Sequence, residues 1–307
     1  ANLAALAHDL AAPVPVAERP VVAEKMSIAV GKADRVMPAL LHGPIAAAAL
    51  VGKLGVRNKD VLNAIRCHTT LRAGAGVSAH PASKQPAQML KLYEFEGCPH
   101  CRLVREVLTE LDLDALILPC PKGGHRYRDE VIEQGGKAQF PYFVDPNTDV
   151  SMYESADIID YLFTTYAGRP KPWHWRAIEL QRFSSVLASM PRIGQGTTVK
   201  KSKVPEHPLE LYSFESSPFA RPVRDLLCEL ELPYILRSVG RTRFADWVPP
   251  AMRQMQADQD EPATRNRQAL HARTGVISIP YLVDPNTGVE LAESSDILDY
   301  LQKNYAL

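Results

Sequence analysis

The sequence predicts an α/β protein in which two copies of one small strand-and-helix domain stand in tandem behind an Ala- and Pro-rich helical arm. Three observations predict it. Two blocks of sequence recur in the same order along the chain. Within each copy the apolar positions pass from the two-residue period of a strand to the spacing of a helix. The first 88 or so residues share neither block and contain no Phe, Tyr or Trp.

The repeat comes first because it organises everything after it. The run LKLYEFEGCPHCRLVR, Leu90 to Arg105, returns as LELYSFESSPFARPVR, Leu209 to Arg224, 119 residues later. Pro141 to Thr148 returns as Pro280 to Thr287, and Glu154 to Asp157 as Glu293 to Asp296, both 139 residues later. The second copy has therefore gained 20 residues in its middle, in an insertion around Arg241 to Arg273 that reads as helical. Leu90 to Phe95 alternates as a strand should, and after Pro99 the residues Leu103, Val104, Val107, Leu108 and Leu111 keep helical spacing. Ala115 to Leu118 is a short second strand. Pro141 to Val144, the Asp-Pro-Asn-Thr turn and Val150 to Met152 make a hairpin. Ser155 then opens a helix whose apolar face is Ile158, Ile159 and Leu162. The boundaries that follow are an arm over 1–88, a first domain over 89–166, a linker with a helix over 167–208 and a second domain over 209–307.

Composition narrows the function. The chain has 307 residues, 35 basic and 35 acidic, so nothing marks it as a binder of nucleic acid, which selects an excess of Lys and Arg. Five cysteines are too few for a disulfide scaffold, and their chemistry should be local. In the arm, Pro13, Pro15, Pro20, Pro38, Pro44, Pro81 and Pro86 interrupt any long helix. Its most apolar stretch, Val36 to Val56, is broken by Pro38, His42, Pro44 and Lys53, which argues against a membrane span. A segment that buries itself so poorly is expected to dock on a partner, a larger protein complex included. The chain opens on Ala1 rather than Met, as a processed product relieved of a targeting peptide would, and an organelle is the expected location.

The chemistry is expected at Cys98-Pro99-His100-Cys101. Cys98 falls where a strand gives way to a helix, so unpaired N–H groups and the positive end of the helix dipole favour its thiolate, and Pro99 preorganises the first turn. Cys98 is the expected nucleophile. Cys101, one turn later, is placed to resolve a mixed disulfide, and a protonated His100 would favour the thiolate further. No second ligand pair accompanies the two cysteines, so no metal is expected.

The order strand, dithiol turn, helix, X-Pro and Glu-Ser, met twice, resembles a thioredoxin fold of the glutaredoxin and glutathione S-transferase N-terminal type. The resemblance implies a cis bond at Phe140-Pro141, with the backbone of Phe140 pairing with an extended thiol peptide. It implies that Glu154 and Ser155 hold the γ-glutamyl end of glutathione, Ser155 and the helix-start N–H groups receiving its carboxylate. In the second copy Ser217 and Ala220 replace the cysteines, so dithiol exchange is lost, while Ile279, Pro280, Glu293 and Ser294 keep the outline of a glutathione groove. A Ser at position 217 is similar to the Ser with which some transferases favour the glutathione thiolate. No all-helical domain follows the last helix here, so the second-substrate pocket of a transferase is not expected.

Between the copies, Arg176 to Ser189 reads as an amphipathic helix, Trp173 and Trp175 as the residues that pack it down, and Gly194 to Pro208 as a polar, solvated tether. The whole layout resembles tandem thioredoxin-fold proteins of photosynthetic eukaryotes, which turns the expected organelle towards the chloroplast. The expected function is a glutaredoxin-like thiol–disulfide oxidoreductase, linked to glutathione and acting on a thiol or disulfide protein. The alternative is a non-catalytic scaffold or accessory subunit of a larger organellar complex, one of the photosynthetic membrane included.

Overall fold

The computed structural model describes residues 75–189, 194–242 and 263–307. The arm up to residue 74, with its apolar stretch, and residues 243–262 of the insertion lie outside the described residues.

Each copy is a four-stranded sheet with helices on it. In the first copy β1 (Leu90–Glu94) runs parallel to β2 (Ala115–Pro119) and antiparallel to β3 (Tyr142–Asp145), which pairs with β4 (Val150–Tyr153). Helix α1 (Pro99–Leu111) links β1 to β2, α2 (Arg128–Gly135) precedes β3, and α3 (Ser155–Leu162) follows β4 and continues into a π-helical turn at Phe163–Ala167. The linker folds as α4 (Trp173–Arg176) and α5 (Ile178–Ser189). The second copy repeats the order with β5 (Leu209–Ser213), α6 (Ala220–Glu229), β6 (Tyr234–Ser238), α7 (Arg265–Thr274), β7 (Tyr281–Asp284), β8 (Val289–Leu291) and α8 (Ser294–Tyr305).

The repeated turn has a structural reason. Asp145, buried in the Asp-Pro-Asn-Thr turn, accepts from Asn147 N–H at 2.8 Å, from Tyr161 at 2.7 Å and from Tyr166. Asp284 accepts from Asn286 N–H at 2.9 Å and from Tyr300 and Tyr305 at 2.6 Å each. Against the cost of burial, the hydroxyls of Tyr166 and Tyr161 and the Asn147 amide hold the Asp145 carboxyl below its ordinary value. The turn thus staples each hairpin to its own last helix.

The two sheets are one. β2 and β6 pair antiparallel, giving the eight-stranded order β4-β3-β1-β2-β6-β5-β7-β8. At the junction Ala115 faces Leu236, Leu116 faces Ile235 and Ile117 faces Tyr234. Exchanging the copies maps this register onto itself, so an approximate two-fold axis passes through the Leu116–Ile235 pair. A single apolar core runs across it, from Leu90 and Phe143 through Ile117 and Tyr234 to Leu282 and Tyr305.

The segments ahead of the copies also repeat, and each crosses to the other copy. Ala79 N–H reaches Arg241 O at 2.7 Å and Arg241 N–H reaches Val77 O at 2.8 Å; likewise Val199 N–H reaches Lys122 O at 3.1 Å and Lys122 N–H reaches Thr197 O at 2.6 Å. Each strap then returns to its own copy, His80 N–H to Glu110 O and Lys200 N–H to Glu229 O, both at 2.6 Å. Residues 75–88, read from sequence as the end of an arm, therefore lie against both copies, and 194–208 is a clamped strap rather than a solvated tether. The tryptophans divide: Trp175 is buried and donates Nε1–H to Glu110 at 2.7 Å, while Trp173 is 78% exposed. Helix α7 answers to α2 rather than to the insertion. Among the described residues no helix is long and apolar enough to cross a membrane.

Candidate active site

Helix α1 carries the dithiol. Cys98 is its N-cap in extended conformation, Pro99 occupies the first turn, and Cys98 Sγ accepts the Cys101 N–H at 3.3 Å. The helix ends where Asp112 enters the left-handed region at φ 52 and its N–H turns back to Leu108 and Thr109. Every side chain from Cys101 to Leu111 is buried, the charged ones included. Charges on the face of an amphipathic helix, here Arg102, Arg105, Glu106 and Glu110, ordinarily belong to solvent. That face instead lies under the second copy and the linker helices.

The loop before Cys98 is clamped on three sides. Gly97 N–H donates to Gly196 O at 3.0 Å, and a Cβ at Gly97 would run into Thr197, so only glycine lets the strap this close. Glu96 N–H donates to Cys228 Sγ at 3.3 Å, and the Cys228 thiol donates to Gly196 O at 3.4 Å. On the outer side Ser185 of α5 donates to Pro99 O at 2.7 Å. Cys98 is left 4% exposed and Cys101 fully buried.

The two thiols are driven apart. The Cys101 side-chain hydrogen bond, then the N–H groups of Cys101 and His100 and the charge of Arg105, bring the Cys98 thiol below its ordinary range against the cost of burial. His100 acts on it through its backbone; its own side chain is exposed. Burial pushes Cys101 well up, and the hydrogen bond to Cys98 adds to it. Burial also pushes Glu94 up to about 8, against the pull of Arg105. Cys120 and Cys228 are buried and raised, mainly by burial.

The other site residues fall at the same end of the sheet. Phe140-Pro141 is cis, Pro141 is buried, and the half-buried Phe140 ring meets Phe95 edge-on at 6.2 Å with the Arg128 guanidinium 4.7 Å above it. Glu154 is exposed, has φ 66, accepts from Gln139 and lies 3.8 Å from Arg182. Ser155, the first residue of α3, is 1% exposed, and its hydroxyl is buried with no hydrogen-bond partner. An unpartnered hydroxyl at a helix N-terminus fits the carboxylate that glutathione would bring there. Arg182 and Ser185 stand one turn apart on α5, about 5 Å along its axis. One linker helix thus borders both the dithiol and the Glu154-Ser155 corner, a role that sequence reasoning missed.

The second copy keeps the geometry without the chemistry. Ser217 is buried and its Oγ accepts the Ala220 N–H at 3.2 Å, as Cys98 accepts that of Cys101. Ile279-Pro280 is cis. Glu293 and Ser294 are half-buried, and burial followed by the charge of Asp296 raises the Glu293 carboxyl. Unlike Glu154, Glu293 has an extended backbone, at φ −97.

The glutathione S-transferase N-terminal domain model matches residues 92–170 and again 211–307. The chain belongs to that family. It holds two glutathione S-transferase N-terminal domains, both thioredoxin-like, in one sheet. No curated protein matches it. Among solved structures, the Bombyx mori glutathione transferase BmGSTD1 is 26% identical over 34% of this chain and 50% of its own, with a TM-score of 0.25. The same transferase in complex with GTT is 24% identical over the same shares, with a TM-score of 0.23. The chain spans about half the length of these transferases. Among the described residues no group of three or more His, Cys, Asp or Glu is placed to hold a metal ion.

Proposed function

We propose that the first glutathione S-transferase N-terminal domain is a glutaredoxin-like thiol–disulfide oxidoreductase that works with glutathione in an organelle, the chloroplast being favoured. The observation that carries this reading is the split dithiol: a low, helix-capping Cys98 beside a high, buried Cys101. Cys98 Sγ, as thiolate, attacks one sulfur of a substrate disulfide; the new bond forms as the old one breaks, and the departing sulfur takes up a proton. Cys101 then gives up its proton and attacks Cys98 Sγ, which releases the second substrate sulfur. Two electrons have passed to the substrate, and the enzyme holds a Cys98–Cys101 disulfide. Glutathione, when bound, supplies the thiols that return this disulfide to the dithiol. Ser155 and the N–H groups of α3 would hold its carboxylate, and the Phe140 backbone would align the extended thiol peptide.

Cys98→Ser tests this directly. Disulfide reduction by the full chain is expected to fall at least 100-fold, and Cys98 in the parent protein is expected to alkylate with a midpoint below that of an ordinary thiol, near 8.5. Retained activity in the variant would end the proposal.

A second reading, a scaffold or accessory subunit of a larger organellar complex, is favoured by a separate observation. Trp173, Leu180, Phe183 and Val186 stand 78%, 63%, 62% and 41% exposed on the linker helices. Migration with a larger assembly under native conditions is the expected result on that reading; a purely monomeric profile counts against it.

A further inference from the structure

Across the two-fold junction the copies exchange a pair of arginines and a pair of glutamates. Arg105 of α1 donates Nε–H to Glu215 at 2.8 Å and Nη2–H to Glu96 O at 3.2 Å. Arg224 of α6 donates Nε–H and Nη2–H to the Glu96 carboxylate at 3.2 Å each and Nη2–H to Glu215 O at 2.8 Å. All four side chains are at most 2% exposed. Each arginine therefore binds the other copy's carboxylate and its own copy's loop backbone. Glu96 lies two residues before Cys98 and Glu215 two before Ser217, so the exchange joins the two capping loops.

We propose that the copy without the dithiol supplies part of the electrostatic seat of the dithiol: Glu215 and Arg224 are positioning residues for exchange at Cys98, acting through Arg105 and Glu96. The inference rests on reading Cys98 and Cys101 as an exchange centre. A purely structural cluster would not need these charges, because apolar residues of similar volume commonly replace buried ion pairs without loss of stability. The pairs stand where their field counts. Arg105 holds Glu215, Glu94 and Glu96 together, and its charge is one of those that favour the Cys98 thiolate. With so little solvent inside the junction, a change of one charge on the second copy is felt across it.

Other charges on the packed elements have their own partners, among them Glu110 of α1 with Arg169 at 3.1 Å and Glu229 of α6 with Lys200 at 2.5 Å. On α1, Arg102 pairs with Glu106 at 3.0 Å. On α6, Arg221 pairs with Glu215 at 2.7 Å, and Asp225 lies one turn on. On α5, Arg182 pairs with Glu179 at 2.8 Å and faces Glu154.

The test reads the pH midpoint of Cys98 alkylation by iodoacetamide in the full chain, resolved at that residue by peptide mass. Glu215→Gln removes a negative charge from beside Arg105 and is expected to lower the midpoint by about one pH unit, a tenfold gain in thiolate fraction. Arg224→Gln removes a positive charge and is expected to raise it by about as much, with Arg224→Lys restoring the parent value. Arg237→Gln, which cuts the cross-copy pair with Asp114 (3.0 Å) away from the dithiol, should leave the midpoint in place. A loosened junction would move the glutamine variants the same way, so opposite signs support the inference. Movement in one direction, or none in folded variants, overturns it. Should Glu215→Gln not fold, the Arg224→Gln and Arg224→Lys pair decides by the same sign. An ordinary midpoint in the parent protein overturns the exchange-centre reading and the inference with it, whereas a low parent midpoint that no variant moves overturns the inference alone.

Discussion

The two copies share one architecture and part company at the dithiol, where Cys98 and Cys101 of the first answer to Ser217 and Ala220 of the second. In both, a side chain accepts the N–H three residues on at the start of the first helix, but with a thiol in Cys98 and a hydroxyl in Ser217. The amide of each loop glutamate is satisfied by the other copy's helix, Glu96 by Cys228 and Glu215 by Thr109. Each arginine reaches a residue on its own copy's first strand, Glu94 for Arg105 and Ser213 for Arg224. These partners change between the copies, Thr109 for Cys228 and Ser213 for Glu94, whereas the exchanged arginines and loop glutamates are the same on both sides. The dithiol itself the second copy has let go. A degenerate copy of this sort remains half of the partner's interior.

That contrast can be broken or sharpened by substitution. The largest effect is expected at Trp175, whose burial ties the linker helices to the first copy alone: Trp175→Ala should cost about 3–5 kcal/mol in urea unfolding. A loss below about 1 kcal/mol would mean that the linker is no part of the first copy's core. Next comes Glu94, against Ser213. Its folded-state carboxyl is raised from 4.5 to about 8, so the stability tied to its protonated form is full below pH 4.5 and drains away as the pH climbs towards 8. Glu94→Gln should therefore be nearly neutral at pH 5 and gain on the order of 2 kcal/mol at pH 9, measured by unfolding at both values. A loss at pH 9 would show that the ionised pair with Arg105 dominates.

Smaller effects follow. Ser155 hides an unpartnered hydroxyl whereas Ser294 is half-exposed, so Ser155→Ala should leave the free protein within about 0.5 kcal/mol of the parent or slightly more stable. Calorimetry with glutathione should show about a tenfold weaker affinity for that variant, and equal affinity would remove Ser155 from the site. The smallest concerns the two helix ends that enter the left-handed region, Asp112 at φ 52 and Glu231 at φ 47. Burial, then the charge of Asp114, raises Asp112 from 3.8 to about 7, so its protonated form is the stable one and stability declines as pH rises through that window. Asn accepts this backbone and carries no charge; Asp112→Asn should gain about 1 kcal/mol at pH 8 and nothing at pH 3.5. Equal gains at both would make the backbone, not the charge, responsible.

Much of this was legible in the chain. The repeat announces two copies, the Cys-Pro-His-Cys spacing locates the capping thiol, and the Asp-Pro-Asn-Thr turn marks both hairpins. The straps left little trace because their contacts are backbone to backbone, and any side chain serves such a bond. Gly74 and Gly76 do stand in places that correspond to Gly194 and Gly196. The junction was hidden for a related reason: Ala115 to Pro119 reads as the same apolar strand whether it ends a sheet or lies in the middle of one. The buried ion pairs were hidden because charges on a helix face ordinarily belong to solvent. One signal was available, the return of Glu96 and Arg105 as Glu215 and Arg224 at the repeat offset.

The two-fold register at Leu116 and Ile235 also bears on how such an asymmetry can persist. In a dimer of identical chains every substitution occurs twice, so a cysteine lost from one active site is lost from both. Here one chain supplies both halves, and the connection between them keeps the partner at a local concentration that no separate subunit has to match. Ser217 could replace a thiol on one side of the axis while Cys98 stayed on the other. On the proposed reading, covalent union lets one half keep the exchange chemistry while the other half supports it.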